Sequence, residues 1–199
     1  MLLADRVIKR LSEKIQNNYY GGHIKTVLEL ICAKARLLYV YNQEYKDDQS
    51  EELLISISDM YKGDFSHEGN DDTVLFYDGF GLDTRGLVQQ YLLGLITNNY
   101  KVLYITAATD KSKQPQVAEI LDKGEGSFFC ADISGIEDKI CWMRNFCSTY
   151  KFSTAFMYTT PWDVAGIVTF NMLKDSATRY QINLTDHAFW LGINAFDYC

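Results

Sequence analysis

Zinc-ligand spacing is missing from this chain. Its five cysteines, Cys32, Cys130, Cys141, Cys147 and Cys199, form no Cys-x-x-Cys pair, and its three histidines lie far apart. No resident metal is therefore expected. Basic residues are also scarce: 19 Lys and Arg stand against 26 Asp and Glu, for a net charge of −7. A phosphate-backbone binder needs clustered cations, and here they are scattered, which argues against a nucleic-acid partner. No apolar run approaches the roughly 20 residues of a membrane span. The opening "MLLADRVIKRLSEK" is too short and too charged for a signal peptide. With unpaired thiols in apolar segments, a reducing cytoplasm is the expected compartment. Two motifs are absent as well. Without G-x-x-x-x-G-K-[ST] there is no ATP-binding P-loop, and without G-x-S-x-G there is no nucleophile elbow of a hydrolase.

What is present suffices for a sizeable core: 199 residues, 47% hydrophobic and 14% aromatic, the size of one domain or a domain with an appendage. Leu3, Val7, Leu11 and Ile15 recur at a helical period, Gly21 and Gly22 break it, and a second helical pattern runs from about His23 to Tyr41. A third helix is expected over Leu53 to Met60, with Asp48 or Ser50 as its N-cap. These segments, 1–62, read as a helical appendage without chemistry of its own. After a polar link over 62–72 the rhythm changes. The runs "TVLFYD", "KVLYIT", "GSFFCADI", "TAFMYTT" and "RYQINLTDHAFWLG" alternate with helical stretches at about 85–98, 114–123, 136–150 and 162–175. Continuous apolar strands alternating with helices predict an α/β, Rossmann-like parallel sheet over 72–199, covered by helices on both faces. Pro161 falls where a helix is expected to begin.

In such a sheet ligands bind beyond the carboxyl ends of the strands, and three polar loops fall there. The first is "DGFGLDTRG", in which Gly79 and Gly81 admit close backbone approach, Asp83 or Thr84 can cap the next helix, and Arg85 projects from its first turn. A helix N-terminus favours anions. The spacing, however, is Gly79-x-Gly81 followed by Gly86, not G-x-G-x-x-G, and the second strand ends "YITAATD" without a ribose-binding carboxylate. A nicotinamide dinucleotide is thereby disfavoured, and no cofactor is assigned. A tight strand-to-helix turn explains the same glycines equally well. The second loop, "YTTPWD", offers Thr159, Thr160, Trp162 and Asp163. The third offers Thr185, Asp186 and His187. Trp162, Phe189 and Trp190 can stack on a sugar ring or fill a core, and His187 can be functional or a structural partner of Asp186.

The run "VLFYDGFGLDTRGLVQQYLLGLITNNYKVLYIT", then "YTTPWD", then "INLTDHAFWLG", resembles the N-terminal half of a bacterial glycosyltransferase of the GT-B type, over roughly residues 25–197. The resemblance implies two Rossmann-like domains facing across a cleft. The first receives the acceptor, and the second, expected beyond Cys199, holds the nucleotide-sugar donor. It implies that the loop of Gly79, Gly81 and Arg85 receives the acceptor or the donor phosphates and that His187 is the catalytic residue facing the donor sugar; Thr159, Thr160, Trp162 and Asp186, at the neighbouring strand tips, complete the expected substrate-binding set. It further implies metal-free transfer to a sugar or glycolipid acceptor, a cytoplasmic location at the inner membrane face, and inactivity of this half alone. The alternative is a noncatalytic α/β binding or regulatory module. A phosphorylated receiver is a poor match, since only Asp78 and Asp132 stand near the required strand ends. A flavin- or nucleotide-binding oxidoreductase is a third class.

Overall fold

The structure, a computed structural model, describes residues 3–41, 44–63, 65, 72–84, 86–183 and 187–199. Three helices come first: α1 (Leu3–Tyr20), α2 (Ile24–Tyr41) and α3 (Asp48–Tyr61). There follow β1 (Thr73–Asp78), α4 (Gly86–Thr97), β2 (Lys101–Thr106), α5 (Pro115–Asp122), β3 (Gly126–Cys130), α6 (Ile136–Thr149), β4 (Thr154–Tyr158), α7 (Val164–Met172) and β5 (Thr178–Gln181). The five strands form one parallel sheet in the order β3-β2-β1-β4-β5. This is the expected Rossmann-like α/β arrangement, with helices on both faces. Among the described residues no helix is long and apolar enough to cross a membrane.

Alternation along the strands divides the core. Leu75 and Tyr77 of β1, Leu103 and Ile105 of β2, and Ala155 and Met157 of β4 point to a face covered by α2, α3, α6 and α7. Phe76, Val102, Tyr104 and Tyr158 point to the other, covered by α4 and α5. On that second face a row of rings crosses the sheet. Phe76 stacks on Tyr104 (5.9 Å) and Phe156 (6.2 Å), and Phe156 on Tyr180 (4.9 Å). Such cross-strand aromatic contacts fix the register of strands that sequence period alone leaves free to slip.

The residues before the sheet share its core. Val27, Leu28, Ile31 and Ala35 of α2 and Leu54 and Ile57 of α3 are buried in the same apolar cluster as Tyr77 and Met157. Asp47, not Asp48 or Ser50, is the N-cap of α3. It accepts from the Ser50 amide and hydroxyl (3.4 and 2.6 Å) and pairs with Lys34 of α2 at 2.6 Å. The long-range ion pair decides among three capping candidates in "KDDQS" that local preference cannot separate. α1 packs on α2 through Ala4 and Ile15, whereas Leu3 and Val7 are exposed. A strict spacing of four drifts about 40° per step on a helix of 3.6 residues per turn. The stripe beginning at Leu3 therefore winds into the contact only by Ile15.

Candidate functional site

In the order β3-β2-β1-β4-β5 the direction of winding reverses between β1 and β4, where ligands of open α/β sheets bind. A cleft of about 550 Å³ opens there. Gly79, after β1, and Thr160, Trp162 and Asp163, after β4, line it. Ile133–Gly135 and Lys139 come from the start of α6, and Glu29, Cys32, Ala33 and Arg36 of α2 form the far wall.

Its floor is a buried hydroxyl–carboxylate cluster. Asp163 caps α7 through the Gly166 amide (3.1 Å) and accepts the hydroxyl protons of Tyr77 (2.5 Å) and Thr159 (2.6 Å). Tyr77 is fully buried, and burial, with Asp163 beside it, drives its phenol pKa well up. Thr159 is buried too, so its side chain serves the floor, while Thr160 lines the cleft. Gly79 has a steric reason to be glycine: a Cβ there would lie 1.9 Å from the Thr159 hydroxyl and 2.8 Å from the Asp163 carboxylate. Gly81 has another. Its φ is +64°, and a Cβ would stand 2.5 Å from the Ala108 amide nitrogen, so only glycine fits this left-handed turn against β2.

Asp78 stands beside this floor without entering the cleft. Fully buried, it accepts from Tyr104 (2.6 Å), Gln114 (3.1 Å) and the amides of Phe80 and Gly81. Burial raises its pKa, and those hydrogen bonds oppose the rise. A carboxylate so enclosed organises the glycine turn and is closed to a phosphodonor. Asp83, expected at the start of α4, turns instead to α5, where it accepts from the amides of Gln116 and Val117.

The walls carry balanced charge. Glu29 and Asp163 face Arg36 and Lys139. The Arg36 guanidinium lies 5.8 Å from the Trp162 ring centre, and the Lys139 ammonium 5.2 Å from that of Tyr77. Neither cation has an ion-pair partner among the described residues. The indole of Trp162 meets the Tyr39 ring edge-on at 5.2 Å. Gly135 caps α6 without a side-chain acceptor, and the Asp138 carboxylate folds back over it. With Glu137 and Asp138 in its first turn, that helix end disfavours a diphosphate by charge. Burial raises the pKa of the Cys32 thiol; Arg36 pulls it back and Asp163 adds to the rise. Among the described residues no three His, Cys, Asp or Glu side chains are grouped as metal ligands.

The expected site residues thus separate. Gly79, Thr160 and Trp162 meet in the cleft with Asp163, Thr159 lies in its floor, and Gly81 packs against Ala108 beside it. His187 is exposed on the turn after β5 and is not among the cleft-lining residues. Arg85, Thr185 and Asp186 lie outside the described residues. Phe189 and Trp190 belong to the core. The segment they sit on is tied down by the Leu191 amide on the Pro161 carbonyl (3.1 Å) and by the Gly192 amide on the buried Glu51 carboxylate. Sequence reasoning missed the α2 wall and Lys139. The signal available was the breadth of the apolar surface of α2, whose buried positions Val27, Leu28, Ile31, Ala35 and Leu38 exceed what one neighbouring helix can cover. Comparison with protein-family models, curated proteins and solved structures gives no match.

Proposed function

We propose that this chain is the acceptor-side half of a GT-B-type glycosyltransferase, moving a sugar from a nucleotide-sugar held by a facing domain to a carbohydrate or glycolipid acceptor. The observation that carries the reading is the composition of the cleft at the β1–β4 switch point. A half-buried indole supplies a flat apolar surface for a sugar's C–H face. Two carboxylates and two cations with no net charge between them supply acceptors and donors for hydroxyl groups. A diphosphate would instead call for net positive charge, which the lining lacks, and the α6 N-terminus at the cleft carries Glu137 and Asp138 in its first turn. In this reading Trp162, Thr160, Glu29 and Arg36 bind and orient the acceptor. The acceptor proton passes to Glu29, a carboxylate of the same wall. The departing diphosphate is stabilised by preorganised donors of the other domain, without a metal. The five free cysteines accord with a reducing cytoplasm.

Calorimetric titration tests this division of labour. Di- and trisaccharides are expected to bind with Kd on the order of millimolar. UDP- and GDP-sugars should give no micromolar binding. Trp162→Ala should weaken the saccharide at least about tenfold, as loss of a stacking aromatic does. Micromolar binding of a nucleotide-sugar by this chain, or saccharide binding indifferent to Trp162, would contradict the proposal.

A further inference from the structure

We propose that the acceptor carries a carboxylate, as a uronic acid does, and that Arg36 receives it. This rests on the sugar-transfer reading and narrows its substrate class. Arg36 lines the cleft from α2, with its guanidinium 5.8 Å from the centre of the Trp162 ring, so a sugar that meets the indole also meets the guanidinium. It donates to the Cys32 sulfur, a weak acceptor, and forms no salt bridge among the described residues. Lys139, on the α6 side of the cleft, is likewise without an ion pair there, its ammonium resting over the Tyr77 ring.

The carboxylates close by are committed elsewhere. Asp163 gives one oxygen to the Tyr77 and Thr159 hydroxyls and the other to the Gly166 amide. As the N-cap of α7 it also faces the positive end of that helix. Glu137 accepts the Tyr61 hydroxyl (2.5 Å) and lines a different groove. Glu29 stays free, but it stands seven residues from Arg36, about 10.5 Å along the helix axis. Two cations against this one free carboxylate leave a single positive charge in surplus. That matches one carboxylate and falls short of a diphosphate.

Geometry favours the carboxylate over a neutral hydroxyl. A planar guanidinium fork holds a carboxylate through two parallel hydrogen bonds, which a lone hydroxyl cannot return. The chain as a whole carries −7, so an anionic sugar is repelled from most of its surface and drawn to where unpaired cations stand. The spacing along α2 also orients the acceptor. Its acid unit lies at Arg36 and the hydroxyl to be glycosylated lies beside Glu29, a separation that a disaccharide bridges.

Calorimetric titration with three matched disaccharides tests the proposal: one ending in glucuronate, its methyl ester, and the corresponding glucose form. The acid is expected to bind at least about tenfold tighter than the other two at low salt, with the advantage shrinking as salt rises. Arg36→Met should bring the acid down to the level of the ester. Arg36→Lys keeps the charge but loses the fork, and should retain only part of the advantage. Arg36 is exposed, so circular dichroism should show both variants folded. Equal binding of acid and ester, or an acid preference that survives Arg36→Met, would overturn the proposal and leave the carbohydrate reading in place. Failure of all three sugars to bind, or binding indifferent to Trp162, would defeat that reading and this proposal with it.

Discussion

Asp163→Ala is expected to destabilise the chain by about 3–7 kcal/mol. Loss of an N-cap acceptor costs about 1 kcal/mol. The buried hydroxyls of Tyr77 and Thr159, both directed at the Asp163 carboxylate, then lose their acceptor, at about 1–3 kcal/mol each. Against a total stability of about 5–15 kcal/mol for a domain, this places the variant near unfolding at ambient temperature. Asp163→Asn should recover more than half of the loss. Its carbonyl can still cap the Gly166 amide, and the two hydroxyls can rotate to accept from its amide. Urea unfolding reads both, as a fall in midpoint at constant slope. A loss under about 1 kcal/mol in the alanine variant would show that the cluster does not hold the cleft floor.

Asp47→Ala ranks with it, at about 4–6 kcal/mol. Lys34 is buried in α2, and its ammonium meets Asp47 at 2.6 Å. Removing one partner of a buried pair leaves the other charge uncompensated, which costs about 3–5 kcal/mol, and the lost cap of α3 adds about 1 kcal/mol. The double variant Lys34→Met/Asp47→Ala separates the terms. A buried pair replaced by apolar groups is often neutral, so the double variant should recover all but about 1 kcal/mol, the capping share. Equal destabilisation of the single and double variants would mean that the cap, not the stranded ammonium, carries the effect. The ion pair matters to the site because α2, which it ties to the start of α3, is the far wall of the cleft.

How much of this was legible depends on the range of the interaction that decides each feature. "TVLFYD" and "KVLYIT" are strands β1 and β2 to the residue, because a parallel strand buried on both faces needs an unbroken apolar run and nothing else in the chain competes for it. The fifth strand is shorter than its apolar run suggests. After Gln181 the chain leaves the sheet, and Trp190 and Leu191 spend their amides on Tyr45 and Pro161, partners that no local pattern reveals. Pro161 sits three residues before α7, since Asp163 supplies the cap. Asp83 caps α5 across a gap of more than thirty residues. The cleft itself was half visible. Its strand-tip residues Gly79, Thr160 and Trp162 follow from topology, whereas Glu29, Cys32 and Arg36 arrive through the packing of α2 on α6 and α7, more than a hundred residues away in sequence. The glycines of "DGFG" carry reasons that only coordinates give: room for the Thr159–Asp163 pair at Gly79, and a left-handed turn under Ala108 at Gly81.

The cleft as a carbohydrate-binding surface is open to one direct measurement, fluorine NMR of the chain labelled with 5-fluorotryptophan. Its three tryptophans report on different places: Trp190 on the core, Trp142 on the packing of α6, and Trp162 on the cleft. Adding an acceptor saccharide should move the Trp162 resonance and leave the other two in place. A saccharide that binds while shifting only Trp142 or Trp190, or one that leaves all three unchanged at saturation, would show that the cleft between β1 and β4 is not where this protein meets a sugar.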